Sequence, residues 1–87
     1  MRFAVTVEVT GLEGISDPEG QTIERVLPSL GFAGIEQVRV GKLVSFELAA
    51  AGEEEARRVA EELCHRLLAN PVMEKASVRL APVRENA

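Results

Sequence analysis

Ile35-Glu36-Gln37-Val38-Arg39-Val40-Gly41-Lys42-Leu43-Val44-Ser45-Phe46-Glu47-Leu48 is the stretch on which the fold turns. Apolar and polar residues alternate on both sides of Gly41-Lys42, the two-residue period of half-buried strands. The register of the implied hairpin follows from side-chain direction. A two-residue turn sets Arg39 opposite Val44 and places charge on the core face. A three-residue connection, Gly41 to Leu43, opposes Val40 with Val44 and Val38 with Phe46. It also sends Gln37, Arg39, Ser45 and Glu47 to the other face. The three-residue turn is therefore predicted.

Toward the N-terminus, Arg2 to Thr10 puts Phe3, Val5, Val7 and Val9 on one face, and reads as a strand buried on that side. Asp17-Pro18-Glu19 is a helix start. Asp17 can cap free backbone N–H groups, Pro18 suits the first helical position and Glu19 favours the positive end of the dipole. Asp17 is the only aspartate in the chain, and its place before Pro18 suggests a geometric role. Ile23, Val26, Leu27 and Leu30 form one helical stripe. Pro28 interrupts it by removing a backbone donor, which predicts a kink or a short helix closed by Gly31 as a left-handed cap.

Toward the C-terminus, Glu53 to Leu68 is the clearest helix, with Ala56, Val59, Ala60, Leu63, Leu67 and Leu68 in one stripe. Glu53–Arg57, Glu54–Arg58 and Glu62–Arg66 are spaced for pairs across one turn. Asn70-Pro71 stops this helix. A last strand is predicted from about Lys75 to Val83, and the tail 84–87 is expected to fray. The order is β-α-β-β-α-β over a single domain, residues 1–83. Short connections and right-handed crossovers then imply an α+β, ferredoxin-like two-layer sandwich, an antiparallel sheet with two helices on one face. Its open face would carry Ala4, Thr6, Glu8, Arg39, Ser45, Glu47, Ser77 and Arg79.

Size and composition bound what such a domain can do. Its 87 residues carry a formal charge of −4 and are 46% hydrophobic, as in soluble globular proteins. A compact chain of this length has a radius of gyration of roughly 12 Å and buries about 60–65% of its unfolded surface. An enclosed ligand cavity of roughly 300–1,000 Å³ would consume much of that core. A subunit or binding module is favoured over a self-contained enzyme. One cysteine, Cys64, excludes an internal disulfide and a Cys-rich zinc site. No apolar run is long enough for a transmembrane helix or signal peptide, so a cytoplasmic protein is expected.

The residues that invite chemistry have plainer readings. Cys64 and His65 are neighbours on a helix and point about 100° apart, so they do not form a nucleophile–base pair. Gly11-Leu12-Glu13-Gly14 and Gly41-Lys42 lack the spacing of a phosphate loop, and Glu13, Asp17 and Glu19 would repel phosphate. An RNA-recognition domain shares the strand and helix order but needs stacking aromatics. Here there are three Phe, no Tyr and no Trp, and no nucleic-acid partner is expected. No catalytic, cofactor or metal-ligating residue is assigned.

The ordered blocks of the chain resemble one family. Gly14-Ile15-Ser16-Asp17-Pro18-Glu19-Gly20-Gln21-Thr22-Ile23 is similar to the G-V-x-D-P-x-G-x-x-I signature of PurS, the small subunit of phosphoribosylformylglycinamidine (FGAM) synthase. Leu30-Gly31-Phe32 with Val38-Arg39-Val40-Gly41-Lys42 resembles its next block. Cys64 followed by Leu67-Leu68-Ala69-Asn70-Pro71-Val72-Met73-Glu74 resembles its third. Pro28, Ser16 and Ala76 depart from the family's usual residues.

The resemblance implies an accessory subunit in de novo purine biosynthesis. The complex converts formylglycinamide ribonucleotide and glutamine to formylglycinamidine ribonucleotide and glutamate, using ATP. It further implies a homodimer or higher homo-oligomer that joins a glutaminase subunit to a large synthetase subunit and assists ammonia transfer. ATP and Mg belong on the synthetase. Asp17, Pro18, Glu19, Gly20, Arg39, Gly41, Lys42, Asn70 and Pro71, from three loop regions, are the candidate partner interface. The structural role of Asp17, Pro18 and Asn70 as helix caps stands beside that reading. The competing class is a small-molecule regulatory domain on the same superfold.

Overall fold

In the computed structural model, described for residues 1–84, the alternation of Arg2 to Thr10 forms the central strand β1, Arg2–Gly11. Its inward side chains Phe3, Val5, Val7 and Val9 are all fully buried. β1 pairs antiparallel with β2, Gly41–Ala49, on one side and with β3, Glu74–Pro82, on the other. Helix α2, Glu53–Leu63, lies on the inward face, where Ala56 and Ala60 are completely covered. Alanine at both positions lets the helix backbone approach the valines of β1 closely. Cys64 extends this packed row as a small hydrophobe. After Leu63 the helix widens into a π turn, Cys64–Leu68, closed by the Ala69 amide donating to the Cys64 carbonyl at 3.0 Å.

This is an antiparallel α+β, ferredoxin-like arrangement, as predicted, although the described residues form three strands in the order β-α-β-α-β where four were expected. No helix among the described residues is long and apolar enough to cross a membrane. Of the tail, residues 85–87 lie outside the described part. Of the three predicted charge pairs on α2, Glu62–Arg66 forms, at 3.4 Å, whereas Arg57 donates to the Val78 carbonyl of β3.

Helix α1, Pro18–Val26, begins at the Asp17 cap and stops one residue before Leu27. The missing donor of Pro28 ends the α-helical pattern, and the chain tightens into a 3-10 turn over Leu27–Leu30. Gly31 closes it in the left-handed region with φ 93°, its amide and that of Phe32 donating to the Leu27 carbonyl.

The predicted hairpin is not made. The chain runs straight through Gly41, and β2 stays paired with β1 along its length to Thr10↔Gly41. Folding back over Gly41–Leu43 would remove the last three pairs of that ladder, Thr10↔Gly41, Val9↔Lys42 and Glu8↔Leu43. The close approach at Gly41 fixes the straight path further, because a Cβ there would lie 2.5 Å from the Val9 carbonyl oxygen. Residues 35–40 consequently leave the sheet and run beside α1. Arg39 goes with them, so it is absent from the open sheet face to which it was assigned. That face carries the ion pairs Arg2–Glu47, at 2.9 Å, and Arg79–Glu8.

The same departure takes α1 off the sheet. Ile23 is 42% exposed, Val26 43% and Leu30 65%, so the predicted stripe exists but lies uncovered. The chain is 52 × 33 × 15 Å with a radius of gyration of 17.0 Å, well above the 12 Å scale of a compact domain of this length.

Candidate functional site

The carboxylate of Asp17 holds two distant pieces of chain together. Its Oδ1 accepts from the Gly20 amide at 3.0 Å, the helix cap read from the sequence. Its Oδ2 accepts from the Val40 amide at 2.8 Å, a contact across 23 positions. One turn along α1, Glu24 Oε1 accepts from the Val38 amide at 3.0 Å. Two carboxylates thus satisfy alternate amides of the 35–40 segment, which has no strand partner among the described residues. Gly20 is buried beneath this clamp. A Cβ there would come within 2.6 Å of both Asp17 Oδ2 and the Val38 carbonyl oxygen, so only glycine admits the close approach.

The second wall is built around Asn70. Its side-chain oxygen accepts from the Val72 amide at 3.0 Å, and Glu74 Oε1 reaches back to the Asn70 amide at 2.8 Å. The Met73 carbonyl accepts from the Leu12 amide at 2.9 Å, tying the turn to the end of β1.

Between these walls lies an open cleft of about 480 Å³. Ile15, Ser16, Asp17, Pro18 and Glu19 line one side, Arg39 and Val40 the rim, and Asn70, Met73 and Glu74 the other side. Of the candidate interface residues, Asp17, Pro18, Glu19, Arg39 and Asn70 are brought together here. Gly20 lies beneath the clamp, Gly41 packs on β1, and Lys42 is exposed on β2 away from the lining. Pro71 faces a smaller hollow of about 240 Å³ with Glu61, Cys64, His65 and Glu74. Met73 and Glu74 were not singled out among the site residues. The signal was present, since an acid four residues after a helix-terminating Asn can return to its amide.

The charges define what the cleft offers. The Val40 and Gly20 amides, with Arg39 nearby, hold the Asp17 carboxyl below the usual carboxylate range. Glu19 and Arg39 make no ion pair among the described residues, which leaves both signs free at the rim. In the smaller hollow, burial and then Glu61 push the Cys64 thiol up, the opposite of what activates a nucleophile.

The clamp has a pH signature. A carboxylate whose folded-state pKa is depressed contributes stability that is present above its ordinary value of about 3.9 and is lost as pH falls through the lower folded value. Below about pH 4, the 35–40 segment is expected to release from α1 before the sheet melts. Protection of the Val40 amide from hydrogen exchange, taken relative to the intrinsic rate at each pH, should fall on acidification and lose that dependence in Asp17→Asn. Equal pH response in the variant would show that the clamp is not what titrates.

The family model described as "PurS: Phosphoribosylformylglycinamidine (FGAM) synthase" matches residues 4–82. The chain is 32% identical to the FGAM synthase subunit PurS of Methanocaldococcus jannaschii over 93% of its own length and 98% of that protein's. It is 35% identical to the PurS subunit of Thermotoga maritima, over 88% and 94%. Among solved structures, it superposes on a chain of PurLQS from Thermotoga maritima with a TM-score of 0.86 at 33% identity, covering 93% of this chain and 99% of that one. It superposes on PurS of Methanocaldococcus jannaschii with a TM-score of 0.83, over 94% and 99%.

Proposed function

The chain belongs to the PurS family of FGAM synthase, and from that membership we propose that it serves as the connector of the enzyme, joining the glutaminase subunit to the large synthetase subunit. It is an accessory subunit of FGAM synthase in purine biosynthesis. The observation that carries the connector reading is the cleft. Three segments far apart in sequence converge on it, and Asp17 spends its hydrogen-bonding capacity on shaping it rather than on a reaction. ATP and Mg, in this reading, are held by the synthetase.

The chemical advantage is local concentration. Ammonia released by glutamine hydrolysis is protonated and diluted in bulk water. Holding the two active sites together raises its effective concentration at the acceptor, and excluding water keeps it neutral. A subunit of a purine-synthesising assembly whose own cysteine, Cys64, is a buried free thiol suits a reducing cytoplasm.

The connector also works as an oligomer, and its surfaces indicate how copies meet. The α1 stripe is bare. On α2, Val59 and Leu63 line an uncovered groove, and Leu67 beyond them is 75% exposed. The inward residues Val44, Phe46 and Leu48 of β2 are only half-covered, and the outer edge of β2 has no partner strand among the described residues. These are the two halves of one sandwich, separated by the straight path at Gly41. A second copy supplies the missing half to each, by exchange of α1 and residues 35–40.

Reconstitution tests the connector. With purified glutaminase and synthetase subunits, glutamine-dependent synthesis should collapse when this chain is omitted, while synthesis from added ammonia persists. Undiminished glutamine-dependent activity without the chain would defeat the bridging role.

A further inference from the structure

We propose that Gly41–Leu43 is an exchange hinge, at which the chain either runs straight, as observed, or folds back to complete the sandwich within one copy. The inference rests on the exchanged arrangement of copies argued above. The sequence carries a consistent register for the closed form: with a three-residue turn, Val38 and Val40 fall opposite Phe46 and Val44 on the face that α2 covers. The same turn returns residues 35–40 to the vacant outer edge of β2 and brings the α1 stripe toward the Val59–Leu63 groove.

What holds the hinge open is the chemistry of its last residue. Three-residue hairpin connections place that residue in the left-handed region, where glycine is at ease and leucine is not. Here it is Leu43. On the straight path Leu43 sits within β2, paired with Glu8 and 62% exposed, so no packing requires its side chain. A short hinge strained in the closed form favours exchange between copies. Apart from the three β1–β2 pairs that closure gives up at Gly41–Leu43, the closed monomer and the exchanged dimer bury equivalent surfaces, so the hinge residues and the protein concentration together set the balance.

The test follows the natural chain, Leu43→Gly and a chain with Asn-Gly inserted between Lys42 and Leu43. Each is measured by light scattering for mass and by small-angle scattering for size across a dilution series. Both changes relieve the closed turn and should raise the dimer dissociation constant at least tenfold. The monomers should have a radius of gyration near 12 Å, with helical circular dichroism retained. On dilution, the natural chain should dissociate to the same small monomer. Variants that stay as dimeric as the natural chain overturn the hinge while leaving the exchanged dimer standing. So does a natural monomer that unfolds as it dissociates, whether or not the variants fold. A natural chain that is monomeric at every concentration with a radius near the observed 17.0 Å defeats the exchanged dimer itself.

Discussion

Replacing Ile23 and Val26 together by aspartate is expected to convert the oligomer to folded monomers. Both side chains are about two-fifths exposed in one copy, and neither belongs to the hydrophobic core of the isolated chain. The buried valines of β1 and the alanines of α2 are untouched. In the exchanged arrangement the stripe is covered, and taking such a side chain from fully exposed to fully buried contributes about 1.5–3 kcal/mol. With only about two-fifths of each still exposed in one copy, losing two costs roughly 1–2.5 kcal/mol per copy, which over both copies of a dimer is about two to four decades of dissociation constant at 1.4 kcal/mol per tenfold. The added carboxylates worsen association further by requiring desolvation. Mass by light scattering and thermal melting of the same samples decide the matter. An oligomer of unchanged mass would place the copy-to-copy contact elsewhere, for example at the open edge of β3.

That expectation marks where sequence reasoning stops. The period of Ile23, Val26, Leu27 and Leu30 says that a stripe must be covered, but periodicity is silent about which chain covers it. Within Ile35–Leu48, alternation on both sides of Gly41 fits a hairpin and a continuous path equally well. The choice lies in the ladder with β1, whose length no local pattern reveals. By contrast, the features governed by neighbours along the chain were legible. Phe3, Val5, Val7 and Val9 form the core row, Asp17 caps Gly20, and Gly31 closes the turn after Pro28. Asp17 shows both limits in one side chain. Its bond to Gly20 is local chemistry, while its bond to Val40 needs the tertiary path. The cleft was readable as three separate loops, not as one place.

Arg39→Glu is expected to uncouple glutamine use from synthesis without disturbing the fold. The guanidinium lines the rim of the cleft and has no ion-pair partner among the described residues. The backbone at this point is secured by the Val40 amide on Asp17 and the Val38 amide on Glu24, neither of which uses the Arg39 side chain. If a partner subunit seats on the cleft, reversal there leaves its matching group buried against like charge. Disrupting one side of a desolvated interfacial charge pair costs about 2–5 kcal/mol, equivalent to roughly 30- to 4,000-fold in affinity. Glutamine-dependent synthesis should therefore fall at least tenfold at a chain concentration that saturates the natural complex, and recover as the variant is added in excess. Ammonia-dependent synthesis should not change, because it needs no transfer between subunits. Glu19→Lys, across the same cleft, should behave similarly, and Arg58→Glu, exposed on α2 outside the lining, should be silent. Recovery with excess chain separates weakened docking from misfolding, since a misfolded connector does not titrate back. If Arg39→Glu supports full glutamine-dependent activity at limiting concentration, the cleft is not where the partner sits, and the docking surface has to be sought on the open face of the sheet.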